Sequence, residues 1–212
     1  MDELDLLKKD WQKQEESYPR LSYDQIYKMI WKKSSSIVKW IFVISILEFL
    51  FWSILTIFLA DRDYWIELDR LHLTEFTIIS YIISYGITFF FIYRFYKNYI
   101  RISATDDVSA LMENILNTRK TVKYYIAFVL INTALIFLIV TYFTFYHHAV
   151  STEVTDLEKY TFSLSQWVIF ISVMILILVL FLGIIWLFYR LIYGILLRRL
   201  NNNYKELKKL EI

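Results

Sequence analysis

One carboxyl group, that of Glu48, lies inside an apolar stretch, Ile37 to Leu59, that holds no other acidic residue. About 20 apolar residues, each rising 1.5 Å along a helix, cross a hydrocarbon core of about 30 Å. Glu48 would therefore lie near the middle of a membrane, where an ionised carboxylate costs roughly 2.5–3.5 kcal/mol on insertion scales. We therefore expect Glu48 to be protonated at neutral pH and to have a hydrogen-bonding partner.

Polar side chains on the other apolar stretches are candidates for that partner. Ser84, Tyr85 and Thr88 fall at a similar depth on the second stretch, and Asn132 falls at a similar depth on the third. Two roles stay open for this intramembrane cluster: a structural clamp between helices, or a proton or cation site built on the buried carboxyl group. We predict a hydrogen bond from the carboxyl group to a group on the second or third stretch, with Ser84, Tyr85 and Asn132 as the leading candidates. A salt bridge is not expected, because no Lys or Arg falls at that depth.

Small and hydroxyl side chains recur along the second apolar stretch at Thr77, Ser80, Ser84 and Thr88. Spacings of three and four residues put them on one helix face. Such a face lets a neighbouring helix approach closely, so helix packing is the favoured interpretation and a conduction path is the alternative.

The sequence offers few residues for a metal site or a catalytic site. The histidines are His72, His147 and His148, and the adjacent pair could bind a metal or sense pH. Adjacent residues point apart on a helix, so solvated side chains are the favoured interpretation. The chain has no Cys, no Gly-rich phosphate loop, no Gly-x-Ser-x-Gly elbow and no His-Glu-x-x-His motif. The sequence therefore predicts no catalytic site, no metal site and no cofactor.

The elements that carry these residues are long apolar helices. Hydrophobic residues make up 58% of the chain, which has only three Gly and one Pro, too few turn residues for a soluble domain of this length. An all-α fold with a four-helix transmembrane bundle follows, because four stretches are each long enough to span a bilayer. These stretches are Ile37–Leu59, Phe76–Tyr96, Tyr124–Tyr146 and Trp167–Tyr189. Between the first two, aromatic residues predict a short interfacial helix.

The charges predict the orientation. Of the 23 basic residues, all but Arg62, Arg70 and Lys159 precede or open the first stretch, follow the last, or lie at the end of the second stretch and between the second and third. The positive-inside rule therefore places both termini in the cytoplasm, with the chain in a bacterial inner membrane. Five parts result: a cytoplasmic leader and interfacial helix (1–36), a transmembrane hairpin (37–96), a cytoplasmic helical loop (97–123), a second hairpin (124–197) and a C-terminal cytoplasmic helix (198–212).

Amphipathic segments mark the cytoplasmic parts. Ser22 and Gln25 form a capping box that begins a helix with an apolar face. This helix could lie on the inner membrane interface or be a cytosolic extension of the first span. Similar short amphipathic helices are predicted around Leu111 and Leu207. Their apolar stripes could pack on one another, lie on the membrane or bind a partner, and packing on one another is favoured. In the leader, we predict that the apolar stripe of Leu4, Leu7 and Trp11 docks onto these helices or onto a separate protein.

The first fifth of the chain resembles the start of small four-span proteins of the bacterial inner membrane. The resemblance lies in the acidic-Leu start, the Leu-Ser-Tyr-Asp turn and the run Trp-Lys-Lys-Ser-Ser-Ser-Ile-Val-Lys-Trp. Such proteins are sometimes labelled carotene-cleaving oxygenases, which implies an iron held by four histidines in a β-propeller. Three histidines and four apolar helices contradict that label. The leader is also similar to the cytosolic segments of membrane-bound anti-sigma regulators.

We therefore expect a non-catalytic regulator or scaffold that is anchored in the bilayer and binds a cytoplasmic protein through its amphipathic helices. A small transporter or ion-coupled carrier that uses Glu48 is the alternative, and an enzyme acting on a lipid is the third interpretation. No nucleic acid is expected, because the basic residues flank the spans and the topology explains them. A homo-oligomer stays open.

Overall fold

The computed structural model describes residues 22–105, 107–155 and 164–210, and it is helical throughout this part of the chain apart from short connections. The five helices are α1 (Tyr23–Leu59), α2 (Arg62–Arg70), α3 (Thr74–Ser103), α4 (Val108–Thr155) and α5 (Leu164–Leu210). The leader residues Leu4, Leu7 and Trp11, and the side chains of His147 and His148, lie outside the described part, so the predictions about them stay predictions.

Four of the five helices, α1, α3, α4 and α5, are long and apolar enough to cross a membrane. The prediction of an all-helical protein with four candidate spans is therefore confirmed. A short helix, α2, also forms where one was predicted between the first two spans, and the Asp61 side chain accepts a hydrogen bond from the Tyr64 amide at 2.9 Å to begin it.

The segment 22–36 continues directly into the first span, which is one of the two arrangements the sequence left open. The segments 108–123 and 198–210 are also continuous with their spans, whereas the sequence suggested separate short helices. No Pro lies at any of the three boundaries, and Gly194 does not interrupt α5. The capping box is confirmed: the Gln25 amide donates to the Ser22 hydroxyl at 3.3 Å, and the Ser22 amide donates to the Gln25 side chain at 3.0 Å. The loop between spans two and three is shorter than predicted, because α3 ends at Ser103 and α4 begins at Val108.

The long helices form an antiparallel ring in the order α1, α3, α4, α5, with α5 packing back against α1. We call the end where α1 begins and α5 ends the basic end, since most Lys and Arg residues lie there. The end that carries α2 is the opposite end. Short connections between antiparallel helices produce this up-and-down order.

The larger of two buried hydrophobic clusters in the described residues lies at the basic end, and a small one, of Leu68, Leu71 and Leu73, lies where α2 meets α3. Fully buried side chains from all four long helices meet in the larger cluster, here called the core, and they include Ile41, Phe95, Leu111, Ile115, Tyr193, Leu200 and Leu207. By contrast, in the most apolar stretch of each helix the buried share is 17% for α1 and zero for α3, α4 and α5. Apolar residues of the amphipathic segments, among them Ile30, Leu111 and Leu207, belong to this core, which is the arrangement expected if these segments pack on one another.

Polar contacts between helices set the register of the basic end. The Asn203 amide donates to the Ser34 hydroxyl at 2.9 Å and joins α5 to α1. The Asn98 amide donates to the Thr121 hydroxyl at 3.3 Å and joins α3 to α4. All four of these side chains are buried, where an unpaired polar group would destabilise the fold.

Candidate functional site

Glu48 is the last buried residue of α1 in the direction of the opposite end, and only 8% of its surface is exposed. It follows Ile41 and Ser45 at spacings of four and three residues, which places all three on one helix face. That face is the one α1 turns toward the core. The apolar stripe that packs the basic end therefore ends in a carboxyl group.

Two tyrosines of α5 hold this carboxyl group. The Tyr189 hydroxyl donates to one carboxyl oxygen of Glu48, and the Tyr193 hydroxyl donates to the other at 3.1 Å. The two tyrosines are four residues apart, so they share a helix face, and their rings stack with centroids 5.8 Å apart. One turn of α5 thus supplies a donor to each oxygen, and the bonds join α1 to α5.

A third tyrosine, Tyr125 of α4, completes the layer. Its ring lies nearly perpendicular to that of Tyr189, with centroids 6.0 Å apart, and 6.2 Å from that of Tyr193. Phe95 of α3 packs edge-on against the other side of Tyr125 at 5.7 Å. Edge-to-face contacts of this kind stabilise aromatic pairs beyond the area they bury. The carboxyl group therefore meets a continuous aromatic layer contributed by three helices.

This arrangement can act as a clamp, and it tolerates both protonation states of Glu48. Two hydroxyl donors satisfy an ionised carboxylate, while a protonated carboxyl group can donate back to one of the hydroxyls. In a span, such a bond is worth roughly 0.6–2 kcal/mol. The expectation that Glu48 is protonated at neutral pH stays a prediction.

The predicted partners of Glu48 are wrong. The Asn132 amide donates to the Ser84 hydroxyl at 3.1 Å, so these two residues join α4 to α3 by themselves. The Thr88 hydroxyl donates to the Ser84 carbonyl of its own helix at 2.8 Å. The Tyr85 ring packs against Phe49 of α1 with centroids 5.6 Å apart.

The intramembrane cluster therefore divides into two parts for a geometric reason. Consecutive residues of a helix point about 100° apart. Phe49 faces α3, so its neighbour Glu48 faces α5 instead of the polar stripe of α3. The proposal that polar groups pair across the helices holds for Ser84 with Asn132, and it does not extend from there to Glu48.

One basic residue is adjacent in sequence to a partner of Glu48. Arg190 directly follows Tyr189 on α5. Its guanidinium carbon lies 4.9 Å from the centre of the Trp186 ring on an exposed flank. The expectation that no Arg falls at the depth of Glu48 stays a prediction, and the carboxyl group is held by hydroxyl groups. Placement over the Trp face is a favourable cation–π geometry.

Sequence reasoning missed all three tyrosines. Tyr189 reads as an interfacial residue that ends a span, which is a common position for Tyr. The available signal was the spacing of four between Tyr189 and Tyr193, which puts two hydroxyl groups on one helix face.

His72 is the one histidine whose side chain the structure describes. It lies exposed in the turn between α2 and α3, with a backbone φ of 54°. No group of three metal-binding side chains occurs in residues 22–105, 107–146 and 165–209.

Residues 24–212 match the model of a protein family described as Domain of unknown function (DUF8845), and the chain belongs to that family. The matched region includes Glu48 and its tyrosine partners, and it leaves out Leu4, Leu7 and Trp11. Searches of curated proteins and of solved structures found no match.

Proposed function

We propose that this family member is a membrane-anchored scaffold or regulator whose basic end lies in the bacterial cytoplasm and binds a cytoplasmic protein. The observation that supports this most is the position of the core. All four long helices continue past their most apolar stretches and pack into one hydrophobic core at the basic end. A packed end of this kind forms a rigid platform, which a membrane anchor alone does not need.

The platform also exposes apolar side chains where we expect water. Met29 lies on α1 with 50% of its surface exposed, and Tyr23, at the start of the same helix, is equally exposed. Met29 precedes Lys39 by ten residues, or about 15 Å of helix, so it lies well outside the hydrocarbon core if Lys39 marks its edge. Exposed apolar groups beside charged ones are typical of protein-binding surfaces. The leader joins the chain at this same end.

The carrier alternative fits the polar contacts less well. Both oxygens of Glu48 accept hydrogen bonds from tyrosines, and Ser84 is bonded to Asn132. Beyond Glu48, the α1 residues 49–59 include only two hydroxyl side chains: that of Thr56 is bonded to its own helix, and that of Ser53 is buried as a single unpaired group. A carrier needs groups that exchange partners with a substrate or with water. Paired groups without a polar path between them favour a structural role.

Photo-crosslinking in cells tests the proposed function. A photoreactive amino acid at Met29 or at Leu7 should produce the same discrete protein adduct, because Met29 lies on the platform and the proposed partner also contacts the leader. The matched control is Ile57, which is 76% exposed at the opposite end and should crosslink to lipid only. The proposal would be overturned by the absence of protein adducts at both test positions, or by the same adduct at Ile57.

Two variants separate the scaffold from the carrier in the same assay. Deletion of residues 2–18 should abolish the adduct at Met29 if the leader contributes to partner binding. Glu48→Gln keeps the shape and most hydrogen bonds, so the adduct and the cellular function should both persist. The carrier alternative predicts the reverse pattern: an inactive Glu48→Gln protein that is well folded, and a leader deletion without effect.

Reporter fusions test the orientation. A reporter that is active only in the periplasm should be silent when fused after Ile212 and active when inserted near Ser151. The opposite pattern would place the basic end outside the cytoplasm and remove the basis for a cytoplasmic partner.

A further inference from the structure

At three of the four interfaces between neighbouring long helices, here called seams, aromatic side chains of the two helices pack against each other. The pairs are Phe49–Phe89 for α1 and α3, Phe91–Phe128 for α3 and α4, and Phe145–Trp167 for α4 and α5, with centroids 4.8, 5.9 and 4.7 Å apart. No ring pair crosses between α1 and α5 in the ranges that the structure describes. This seam is instead held by hydrogen bonds such as those to Glu48.

A cavity of about 210 Å³ lies at this α1/α5 seam. Its walls are Glu48 and six apolar residues: Ile44, Leu47, Phe51 and Trp52 from α1, and Phe188 and Ile192 from α5. The side chains of Leu47, Phe51 and Phe188 are about half exposed, so the cavity opens onto the surface that faces lipid. The seam therefore carries a lateral apolar pocket just outside the carboxyl–tyrosine layer.

The walls specify a hydrocarbon occupant. Both oxygens of Glu48 already accept hydrogen bonds from tyrosines, so the one polar wall residue is engaged elsewhere. An apolar cavity of about 150 Å³ lined by Leu, Ile and Phe stays free of water and binds benzene. The larger cavity here faces the bilayer directly. The ends of lipid acyl chains are the apolar groups present in quantity at that position.

The same seam carries a cation at the depth of a headgroup. Arg199 follows Ile192 by seven residues, or about two turns, so both lie on one face of α5 about 10 Å apart. From Phe188 to Arg199 the helix rises about 16 Å, which is about half of a 30 Å hydrocarbon core. Trp40, which is 56% exposed, lies one turn before Ile44 on α1 and suits the membrane interface.

We propose that the α1/α5 seam binds an anionic phospholipid from the leaflet at the basic end. One acyl chain fills the cavity beside Glu48, and the phosphate lies against the Arg199 guanidinium group. Basic residues between spans attract anionic headgroups in this way. The inference does not depend on the proposed function, since a scaffold and a carrier could both hold such a lipid.

The first test uses the wild-type chain in phosphatidylcholine nanodiscs. A trace of phosphatidylglycerol with a diazirine near the end of one acyl chain is photolysed, and the adducts are mapped by mass spectrometry. Adducts should concentrate on residues 44–52 and 188–192, well above the level at Ile169 and Leu176, which are exposed to a similar degree on α5. Even labelling of all exposed apolar residues would mean ordinary surrounding lipid and would overturn the proposal. So would protein–protein crosslinks at these positions, which would place a second copy on the seam.

A pair of neighbouring variants tests the headgroup. Arg199→Gln should lower labelling by phosphatidylglycerol about fivefold, the factor expected for one basic residue near an anionic lipid. Labelling by phosphatidylcholine with the same chain should not change. Arg198→Gln is the matched control, because it removes the same charge from a position about 100° around the helix, and it should label like the wild type. Equal effects of the two variants would contradict a specific headgroup site.

A larger side chain tests the cavity. Ile192→Trp should fill it and remove the labelling of residues 44–52 by both lipids. Ile184→Trp, at a lipid-exposed position of α5 outside the cavity walls, should leave that labelling intact. Persistent labelling in a folded Ile192→Trp protein would contradict the proposal. If that variant does not fold, the wild-type map and the Arg199→Gln comparison still decide.

Discussion

The two ends of the same four helices are held together in different ways. At the basic end, buried side chains from all four helices form one core, and bonds such as Asn203 to Ser34 cross between helices. The opposite end has a small buried cluster of Leu68, Leu71 and Leu73 beside α2. Between the long helices there, contacts are mainly pairwise: Phe49 with Phe89 between α1 and α3, and Phe145 with Trp167 between α4 and α5. Large apolar side chains on the remaining surfaces are exposed.

The surrounding medium explains this difference. In water, an apolar side chain must be buried against protein, whereas lipid tails are as apolar as Leu and leave no such driving force. A core is therefore required where the helices lie in water, and at the basic end the buried packing also continues along α1 as far as Glu48. Glu48 lies at the boundary, since it is the last buried residue of α1, and its bonds to Tyr189 and Tyr193 hold the seam where the packing becomes sparse.

The largest expected effect on stability comes from truncating a buried side chain of the core. Leu200→Ala removes a fully buried side chain of the basic end, and the free energy of unfolding should fall by about 2–5 kcal/mol. Leu187→Ala makes the same change on a lipid-exposed face of α5 and should cost about 0.5 kcal/mol or less. Unfolding measured in the same bilayer or detergent compares the two. Equal losses would mean that the two ends are packed alike.

A smaller effect is expected at the boundary. Glu48→Leu removes both bonds to the α5 tyrosines and should lower the free energy of unfolding by roughly 0.6–2 kcal/mol. Glu48→Gln keeps an acceptor and a donor and should lose less. Combining Glu48→Leu with Tyr193→Phe in a double-mutant cycle measures the coupling directly. Strict additivity of the two single variants would show that Glu48 and Tyr193 do not interact.

These sites also show what the sequence could and could not predict. The four spans and the capping box at Ser22 follow from local signals, namely long apolar runs and a side chain three residues from its partner. The partners of Glu48 do not follow from local signals. A transmembrane helix that is apolar on all sides has no polar or apolar face that would indicate its rotation about its own axis. Which neighbouring helix Glu48 faces therefore depends on tertiary packing, which a local sequence pattern does not predict. The basic end was easier to predict, because its apolar residues follow a helical period.

The smallest expected effect lies in the sparsely packed half. A Cβ atom added at Gly86 of α3 would meet no other atom within 4 Å. Gly86→Ala should therefore cause no clash, and the higher helix propensity of Ala should stabilise α3 by about 0.5–1 kcal/mol. A thermal shift assay would detect the increase. A loss of stability would reveal a close helix contact at Gly86 and would contradict the sparse packing of the long helices in this half of the protein.

Distance measurements between spin labels test the contrast between the two ends most directly. The chain has no native Cys, so introduced cysteines are the only labelled positions. Lys33→Cys with Lys205→Cys reports on α1 and α5 at the basic end, and Ile57→Cys with Phe181→Cys reports on the same two helices at the opposite end; all four residues are exposed. In nanodiscs, a narrow distance distribution is predicted for the first pair and a broad one for the second. Distributions of equal width, or a broader one at the basic end, would contradict a bundle that is held by its core at that end.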